Sequence, residues 1–221
     1  MHLKDIKKDT PKQFYEALEK EQIDKLRPCQ EKAIKAGLLK EKSLLICTPT
    51  ASGKTLTAEL AMIKAIENKG KAIYIVPLKA LATEKYKDFT RRYKGLIKVG
   101  ISIGDLDEPE PHLGDNNLII TTSEKLDSLI RHHIQWLKYV NCIIVDEIHL
   151  LNDVERGPTL EILITILRTL LKDVQIIGLS ATIGNPKELA EWLKAELVMD
   201  FWRPVELRQA IYVDGKIEYV K

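Results

Sequence analysis

The chain has 221 residues, of which 45% are hydrophobic and 30% are charged, and its formal net charge is +2. This length and composition predict a soluble globular protein with a substantial core, and they exclude intrinsic disorder. No apolar run approaches the length of a membrane span, and the charged N-terminus is unlike a secretory signal, so no membrane partner is expected. The net charge neither supports nor excludes a nucleic-acid partner, because a local basic face can exist within a near-neutral total.

The first forty residues show helical patterns, with a helix predicted to open at Pro28. Beyond them, apolar segments with strand character alternate with helical segments. The predicted strands are 43–48, 71–77, 97–103, 117–122, 142–147 and 174–181, and the predicted helices are 54–70, 78–95 and 157–173. Several of the strands are apolar at nearly every position, which is typical of parallel strands that are covered on both faces.

The remaining segments predict loops and a C-terminal hairpin. Segment 104–116 is acidic and rich in Pro and Gly, which predicts an exposed loop. After Pro204 the pattern predicts one or two short strands, with a hairpin turn at Asp214 and Gly215. No linker divides the chain. We therefore predict one α/β domain over 1–221, with a mostly parallel sheet and helices on both faces.

The three cysteines argue against a disulfide framework or a zinc site. Cys29, Cys47 and Cys142 are odd in number, far apart and without CxxC spacing. A reducing cytosol is therefore expected, which predicts a cytoplasmic location. Cys47 and Cys142 fall within apolar strands and are interpreted as core residues.

The turn at residues 48–55, "TPTASGKT", contains the residue types of a phosphate-binding loop. A loop between a parallel strand and a helix directs backbone N–H groups at one point, where the helix dipole adds positive potential. Gly53 would let the backbone approach closely, Lys54 would reach the β and γ phosphates, and Thr55 would ligate Mg²⁺. Because Thr48 replaces the first glycine of G-x-x-x-x-G-K-[ST], an ordinary strand–helix turn with a surface lysine is the alternative.

A second motif, "IIVDEIH", places two adjacent carboxylates at the end of an apolar strand. A P-loop ATPase needs one carboxylate to hold Mg²⁺ and another to act on the attacking water, which are the roles predicted for Asp146 and Glu147. The alternative is that both residues only begin the next helix, where acidic groups suit the dipole.

A third motif, "LSAT" at 179–182, ends another apolar strand. Ser180 and Thr182 would relay hydrogen bonds beneath the γ-phosphate. On its own this motif is weakly informative, because Ser and Thr are common at strand ends.

Together these segments resemble the first RecA-like domain of the superfamily 2 helicases, and they occur in that family's order. The implied fold is a RecA-like P-loop NTPase domain, with residues 1–40 as its helical Q-motif region. The segments are "LRPCQEKAI" for the Q-motif, "TPTASGKT" for motif I, "PLKALATEK" for Ia, "TTSEKLDSL" for Ib, "DEIH" for motif II and "SAT" for motif III. "GNPKELAEWL" and "WRPVEL" resemble the Ski2-like branch, in particular the archaeal DNA repair helicases related to metazoan HelQ.

The resemblance implies roles for the matching residues. The catalytic residues would be Lys54, Asp146 and Glu147, and Mg²⁺ would be held by Thr55 and Asp146. Coupling between nucleotide and nucleic acid would involve His149, Ser180 and Thr182. ATP would be bound through its adenine edge by Gln30 and otherwise by Thr48, Pro49, Thr50, Ala51, Ser52, Gly53, Lys54 and Thr55. The residues expected along a single strand, mostly facing its phosphates, are Leu78, Lys79, Thr121, Thr122 and Ser123.

The function implied is that of the ATP-binding motor lobe of a DNA helicase that translocates on single-stranded or forked DNA. Residues 203–221 would begin the connection to a second RecA-like domain, and the chain ends before that domain and the winged-helix and ratchet domains that would be its partners. Such a lobe is expected to bind ATP, hydrolyse it very slowly and not unwind DNA. The alternatives are a lobe of a Ski2-like RNA helicase and a P-loop nucleotide-binding module without motor activity.

Two further features are interpreted as structural. The predicted helix 79–94 is rich in lysine and arginine, which mostly indicates a solvated face, with Lys79 as the exception because it lies in the motif Ia turn. In "RHHIQW", the adjacent His132 and His133 have poor spacing for one metal, and Trp136 is interpreted as a packing residue.

Overall fold

A parallel sheet of seven strands forms the centre of the computed structural model, which describes residues 1–104, 110–208 and 210–219. The strand order is β3-β4-β2-β5-β6-β1-β7, and every neighbouring pair is parallel. The strands are β1 (Leu44–Cys47), β2 (Lys71–Val76), β3 (Val99–Ser102), β4 (Leu118–Thr122), β5 (Val140–Val145), β6 (Gln175–Ser180) and β7 (Glu196–Met199). The α/β class and its parallel sheet, as predicted, are confirmed.

Seven α-helices accompany the sheet within the described residues. The longest have 14 residues, short of the roughly 20 that a membrane-spanning helix needs, and no described helix could cross a bilayer. The helices are α1 (Lys12–Lys20), α2 (Pro28–Lys35), α3 (Lys54–Glu67), α4 (Lys79–Arg92), α5 (Ser123–Arg131), α6 (Gly157–Leu170) and α7 (Pro186–Leu193). Short 3-10 helices are Leu3–Ile6, Leu38–Lys40, Pro111–Asp115, Gln135–Tyr139 and Ile148–Asn152.

Alternate strand residues enter two separate cores, one on each face of the sheet. On β1, Leu44 and Ile46 pack with residues of α1–α4, whereas Leu45 and Cys47 pack with residues of α5–α7. All four side chains are buried, which explains why the strand sequences are apolar at nearly every position. Burying such a side chain contributes roughly 1.5–3 kcal/mol, so both layers of helices stabilise the sheet.

All six predicted strands are present, but β7, α5 and α7 were not predicted. β7 has four residues at the sheet edge, and of these only Val198 is buried. The two helices have nine and eight residues. β7 lacks the four buried apolar residues by which the equally short β1 was predicted, and eight or nine residues span little more than two helical turns, too few for a period to be recognised.

The predicted C-terminal hairpin is present as β8 (Ala210–Val213) and β9 (Lys216–Tyr219). Asp214 and Gly215 both have positive φ, +48° and +79°, which is the backbone of a tight turn that matches the twist of the strands. The role predicted for 203–221, a connection to a second domain, remains a prediction.

The prediction of an exposed loop over 104–116 is wrong at its C-terminal part, and residues 105–109 lie outside the described residues. Pro111–Asp115 is a 3-10 helix whose Leu113 is buried. The Glu110 carboxylate accepts a hydrogen bond from Ser102 at 2.7 Å and pairs with the Lys125 ammonium at 3.0 Å. Lys125 is only 1% exposed, and a charge this buried requires a counterion, so Glu110 packs inward, as Leu113 does, whereas Pro111, His112 and Asp115 are exposed as predicted.

Cys47 and Cys142 are buried as predicted, and so is Cys29. All three are free cysteines. Burial is the main cause that raises the pKa of each thiol, so these thiols stay protonated and behave as small apolar groups.

Candidate active site

The loop between β1 and α3 is held in shape by its own polar groups. The hydroxyls of Thr48 and Ser52 lie 2.7 Å apart, and the Lys54 ammonium donates to the carbonyl oxygens of Thr48 at 2.8 Å and Pro49 at 3.3 Å. Ala51 and Gly53 have positive φ, +63° and +100°, so the loop turns sharply before α3 begins at Lys54. Thr48 therefore closes the loop with its hydroxyl, at the position where the usual pattern has glycine.

Gly53 is required for a second reason that the sequence did not indicate. A Cβ atom at this position would lie 2.4 Å from Nε2 of Gln30, so the space beside the loop is already filled by that amide. Gln30 Nε2 donates to the Gly53 carbonyl at 3.0 Å, and Gln30 Oε1 accepts from the Arg27 N–H at 2.8 Å. An amide has two protons and two lone pairs, so Gln30 keeps one proton and one lone pair for another partner.

A cavity of about 740 Å³ opens beside Gln30 and the loop. This volume lies within the range of small-molecule sites, roughly 300–1,000 Å³. Its lining combines charged and apolar residues from the N-terminal segment, the loop, α3 and α4, among them Glu21, Asp24, Arg27, Gln30, Gly53, Thr55, Leu56, Lys85, Phe89 and Arg92.

The two acidic residues that follow β5 have different partners. One Asp146 oxygen accepts from the Tyr74 hydroxyl at 3.0 Å, and the other accepts from the Glu147 N–H at 3.1 Å. The Glu147 carboxylate lies 3.3 Å from Nδ1 of His149. Glu147 also has a positive φ of +51°, so the chain turns between the carboxylates and the 3-10 helix Ile148–Asn152.

The sheet brings the three predicted motifs to one edge. β6 lies between β5 and β1, so Ser180 ends the strand that separates Asp146 from the loop. The Ser180 carbonyl accepts from the Thr48 N–H at 3.2 Å. Ser180 is buried, whereas Thr182 is exposed just beyond the strand. The carboxyl ends of parallel strands are the usual place for a ligand in an α/β sheet.

Electrostatics also connect the loop with the acidic pair. Burial lowers the pKa of the Lys54 ammonium, and the carboxylates of Glu147 and Asp146 oppose that effect. The lysine and both carboxylates therefore lie within electrostatic reach of one another. Burial and the Asp146 carboxylate raise the pKa of Tyr74, so its hydroxyl keeps the proton that it donates.

A family model for the DEAD/DEAH box helicases matches residues 27–189. The chain belongs to this family. The ATP-dependent DNA helicase Hel308 of Methanocaldococcus jannaschii is 56% identical over 206 residues, and that of Methanococcus vannielii is 52% identical over 206 residues. Each match covers 90% of this chain, but only 17% and 27% of the respective relative, so the chain spans a small part of their length.

Solved helicase structures share this fold. The DUF1998 helicase MrfA bound to DNA and AMPPNP has a TM-score of 0.73 and 30% identity, covering 87% of this chain and 29% of that chain. The MrfA structure bound to DNA alone has a TM-score of 0.73 and 28% identity, covering 86% of this chain and 29% of that chain. The RecA-like fold that the sequence predicted is thus the fold of this helicase domain.

The residues predicted to contact nucleic acid differ in exposure. Leu78 occupies the N-cap position of α4 and is 44% exposed, and Lys79, the first residue of α4, is also exposed. Thr121, Thr122 and Ser123 are buried at the junction of β4 and α5, where the Thr122 hydroxyl accepts from the Lys125 N–H at 3.4 Å. Because β4 pairs with β2, both helix N-termini lie at the same edge as the candidate active site.

The interpretation of helix 79–94 as a mostly solvated face is correct for Lys87 and Lys94, which are exposed, but wrong for Lys85 and Arg92. Lys85 donates to the Thr55 hydroxyl at 3.3 Å. Arg92 donates to both oxygens of the buried Glu59 at 2.6 Å. These two basic residues lie on the inner face of α4, where each has an oxygen partner.

Other residues that hold the site were missed by sequence reasoning. The Arg27 guanidinium donates to the Ala51 carbonyl and lies over the Trp202 ring, and Cys29 Sγ donates to the Ser52 carbonyl at 3.1 Å. Arg27 and Cys29 lie three residues and one residue before Gln30, and this proximity to a predicted binding residue was the available signal. Trp136 is buried, in agreement with its predicted packing role, and His132 and His133 are exposed.

Proposed function

We propose that this chain is the ATP-binding lobe of an ATP-dependent DNA helicase, in which ATP hydrolysis drives movement along single-stranded DNA. The observation that carries the proposal is that β1 and β5, separated only by β6, bring Lys54, Asp146 and Glu147 to the same edge of the sheet, while the neighbouring Gln30, Gly53 and Thr55 line a cavity of about 740 Å³. The names of the Hel308 relatives and the DNA in the MrfA structures favour DNA over RNA as the nucleic acid.

Lys54 is the proposed phosphate contact. Its ammonium is held by two carbonyl oxygens of the loop, Thr48 and Pro49, and therefore lies inside the curve that residues 48–53 form. Phosphate oxygens would be stronger acceptors than these carbonyls, because a hydrogen bond between ionised partners is roughly twice as strong as a neutral one. Lys54 would exchange its loop contacts for the β and γ phosphates as the nucleotide binds.

The Thr55 hydroxyl and the Asp146 carboxylate are the residues that would hold Mg²⁺. They fit this ion, because Mg²⁺ in nucleotide sites takes oxygen ligands, with one or two carboxylates and the phosphates of the substrate. The Thr55 hydroxyl already accepts a cationic donor, the Lys85 ammonium. When bound, Mg²⁺ neutralises charge that develops on the phosphates during transfer.

Glu147 is the proposed base or orienting group for the attacking water. Its carboxylate is 39% exposed, so it reaches solvent, and it lies 3.3 Å from His149 Nδ1. A movement of Glu147 would therefore be transmitted to His149. A movement of the loop would be transmitted to Ser180, whose carbonyl accepts a hydrogen bond from the Thr48 N–H. We propose that these residues, with Thr182, couple the nucleotide to the nucleic acid.

The single strand is proposed to lie across the N-termini of α4 and α5. Helix N-termini attract phosphates through their free N–H groups and the helix dipole, and Leu78 and Lys79 are exposed there. Thr121, Thr122 and Ser123 would contribute after a local rearrangement, because all three are buried.

The other proposed partners are a second RecA-like domain, a winged-helix domain and a ratchet domain, and the proposed location is the cytoplasm.

The Lys54→Ala variant tests the nucleotide site. Loss of a charge-assisted phosphate contact, worth roughly 1.5–3 kcal/mol, is expected to weaken Mg·ATP binding about ten- to a hundredfold. Isothermal titration calorimetry on the wild type and the variant measures this change. Lys94→Ala, an exposed lysine beyond α4, is the matched control and should bind like the wild type. Equal affinities of Lys54→Ala and wild type would remove the loop from the nucleotide site.

The base preference tests Gln30. Its remaining proton and lone pair suit the adenine edge, whereas guanine presents the opposite donor and acceptor positions, so ATP should bind on the order of ten- to a hundredfold more tightly than GTP. Competition of both nucleotides for a fluorescent ATP analogue measures the ratio. A protein that binds ATP and GTP equally well would exclude base recognition by Gln30.

A further inference from the structure

Each of the two proposed Mg²⁺ ligands is held by a side chain to which the sequence assigned no role. The Tyr74 hydroxyl donates to one oxygen of Asp146 at 3.0 Å, and the Lys85 ammonium donates to the Thr55 hydroxyl at 3.3 Å. Tyr74 lies in the middle of β2 and Lys85 in the middle of α4. Residues that contact metal ligands commonly set the orientation of those ligands.

Packing fixes both groups in place. The Tyr74 ring is fully buried and packs against Phe89 of α4 with ring centroids 5.6 Å apart. The Lys85 ammonium lies 5.9 Å from the centroid of the Tyr74 ring. Asp146, Tyr74, Lys85 and Thr55 therefore form one continuous chain of contacts from motif II to motif I.

The two contacts differ in what they offer a divalent cation. The second Asp146 oxygen accepts from the Glu147 N–H, so with Tyr74 both carboxylate oxygens are fixed in direction while the carboxylate keeps free lone pairs. Lys85, in contrast, places a positive charge at the Thr55 oxygen. An ammonium 3.3 Å from that oxygen and a Mg²⁺ at its usual distance of about 2.1 Å would repel each other strongly.

We propose that Tyr74 and Lys85 are positioning residues of the Mg²⁺ site with opposite effects: Tyr74 holds Asp146 ready for the ion, whereas Lys85 occupies the Thr55 hydroxyl and must be displaced by it. This inference rests on the proposed function, because it assumes that nucleotide and Mg²⁺ bind at this edge. Lys79 is the first residue of α4, and Lys85 lies in the same helix. Through Lys85, a movement of α4 would then affect the metal site directly.

The test measures binding of a non-hydrolysable ATP analogue to the full chain by calorimetry, in EDTA and over a series of Mg²⁺ concentrations. Tyr74→Phe keeps the ring and removes the hydroxyl. Its half-saturating Mg²⁺ concentration should rise roughly ten- to a hundredfold, while the affinity in EDTA stays unchanged. The unchanged affinity in EDTA also shows that the variant folds.

Lys85→Met keeps an unbranched side chain and removes the charge, and it should shift the half-saturating Mg²⁺ concentration in the opposite direction from Tyr74→Phe. Loss of the competing ammonium is expected to lower the half-saturating Mg²⁺ concentration by roughly fivefold, the equivalent of one hydrogen bond. The matched controls are Tyr212→Phe and Lys87→Met, because both residues are exposed and Lys87 lies on the same helix. Neither control should change the Mg²⁺ dependence.

The outcomes separate this inference from the proposed function. If the wild type binds the analogue and Lys54→Ala weakens that binding, but the half-saturating Mg²⁺ concentration is the same in Tyr74→Phe and Lys85→Met as in wild type, only the inference is overturned. Shifts of both variants in the same direction, or equal losses with and without Mg²⁺, would also overturn it. If the wild type does not bind the analogue, both proposals fail.

Discussion

Glu147→Gln is expected to slow ATP hydrolysis by on the order of 10²–10⁴-fold, the usual contribution of a positioned acid–base group. Glutamine has the shape of glutamate but cannot take a proton from water, so the water-activating step is lost. Mg·ATP affinity should remain close to that of the wild type, because the proposed phosphate and metal contacts are made by Lys54, Thr55 and Asp146. Because the lobe alone is expected to hydrolyse ATP very slowly, single-turnover hydrolysis of labelled ATP is followed over long incubations with protein in excess, and calorimetry measures the affinity separately.

The control for this prediction is Glu155→Gln, which removes an exposed carboxylate just before α6 and should change neither quantity. We expect little change in stability from this substitution, because Glu147 is 39% exposed and its carboxylate pairs with His149, which is itself partly exposed. A Glu147→Gln variant that hydrolyses ATP at the wild-type rate would assign water activation to another group. A variant that loses ATP binding would make Glu147 a binding residue.

The motifs of the site could be predicted because their residues are adjacent in sequence. Residues 48–53 form one loop that leads into α3 at Lys54, and Asp146 and Glu147 directly follow β5, so a linear pattern contains most of the local geometry. The apolar strands were predictable for a similar reason, because both faces of the sheet are covered and few positions need to be polar. Local sequence and tertiary structure agree in these segments.

The contacts that support the motifs could not be predicted in the same way. Tyr74 and Asp146 are 72 residues apart in sequence, and Lys85 and Thr55 are 30 residues apart. Both contacts therefore depend on the order of strands and on the packing of α4. A tyrosine within a strand reads as an ordinary core residue. The burial of Thr121, Thr122 and Ser123 likewise depends on how α5 packs, which no motif contains.

One signal in α4 was present in the sequence. Ala82, Lys85, Phe89 and Arg92 are spaced by three, four and three residues, which places them on one side of a helix. Ala82 and Phe89 are buried, so the two basic residues between and after them had to lie on the inner face. Helical period, applied to charged residues as well as apolar ones, separates Lys85 and Arg92 from the solvated lysines of the same helix.

Arg92 is the residue whose loss should destabilise the fold most among those considered. It lies opposite Glu59 of α3, which is only 1% exposed, and donates to both of its carboxylate oxygens at 2.6 Å. The Tyr93 hydroxyl donates to the same carboxylate at 2.5 Å. This network joins α3, which begins at Lys54, to α4, which carries Lys79 and Lys85.

Arg92→Met is expected to lower the free energy of unfolding by about 3–5 kcal/mol, because it leaves the Glu59 carboxylate buried without a counterion. The double variant Glu59→Met/Arg92→Met should recover part of that loss, since two apolar side chains remove the buried charge, while the buried Tyr93 hydroxyl loses its acceptor. Arg91→Met is the matched control: Arg91 is 64% exposed and lies 3.5 Å from Glu21, and an exposed pair of this kind contributes at most about 1 kcal/mol. Urea denaturation followed by circular dichroism measures all three variants. If Arg92→Met were no less stable than Arg91→Met, or if the double variant were less stable than Arg92→Met, the ion pair would not be what holds α4 against α3.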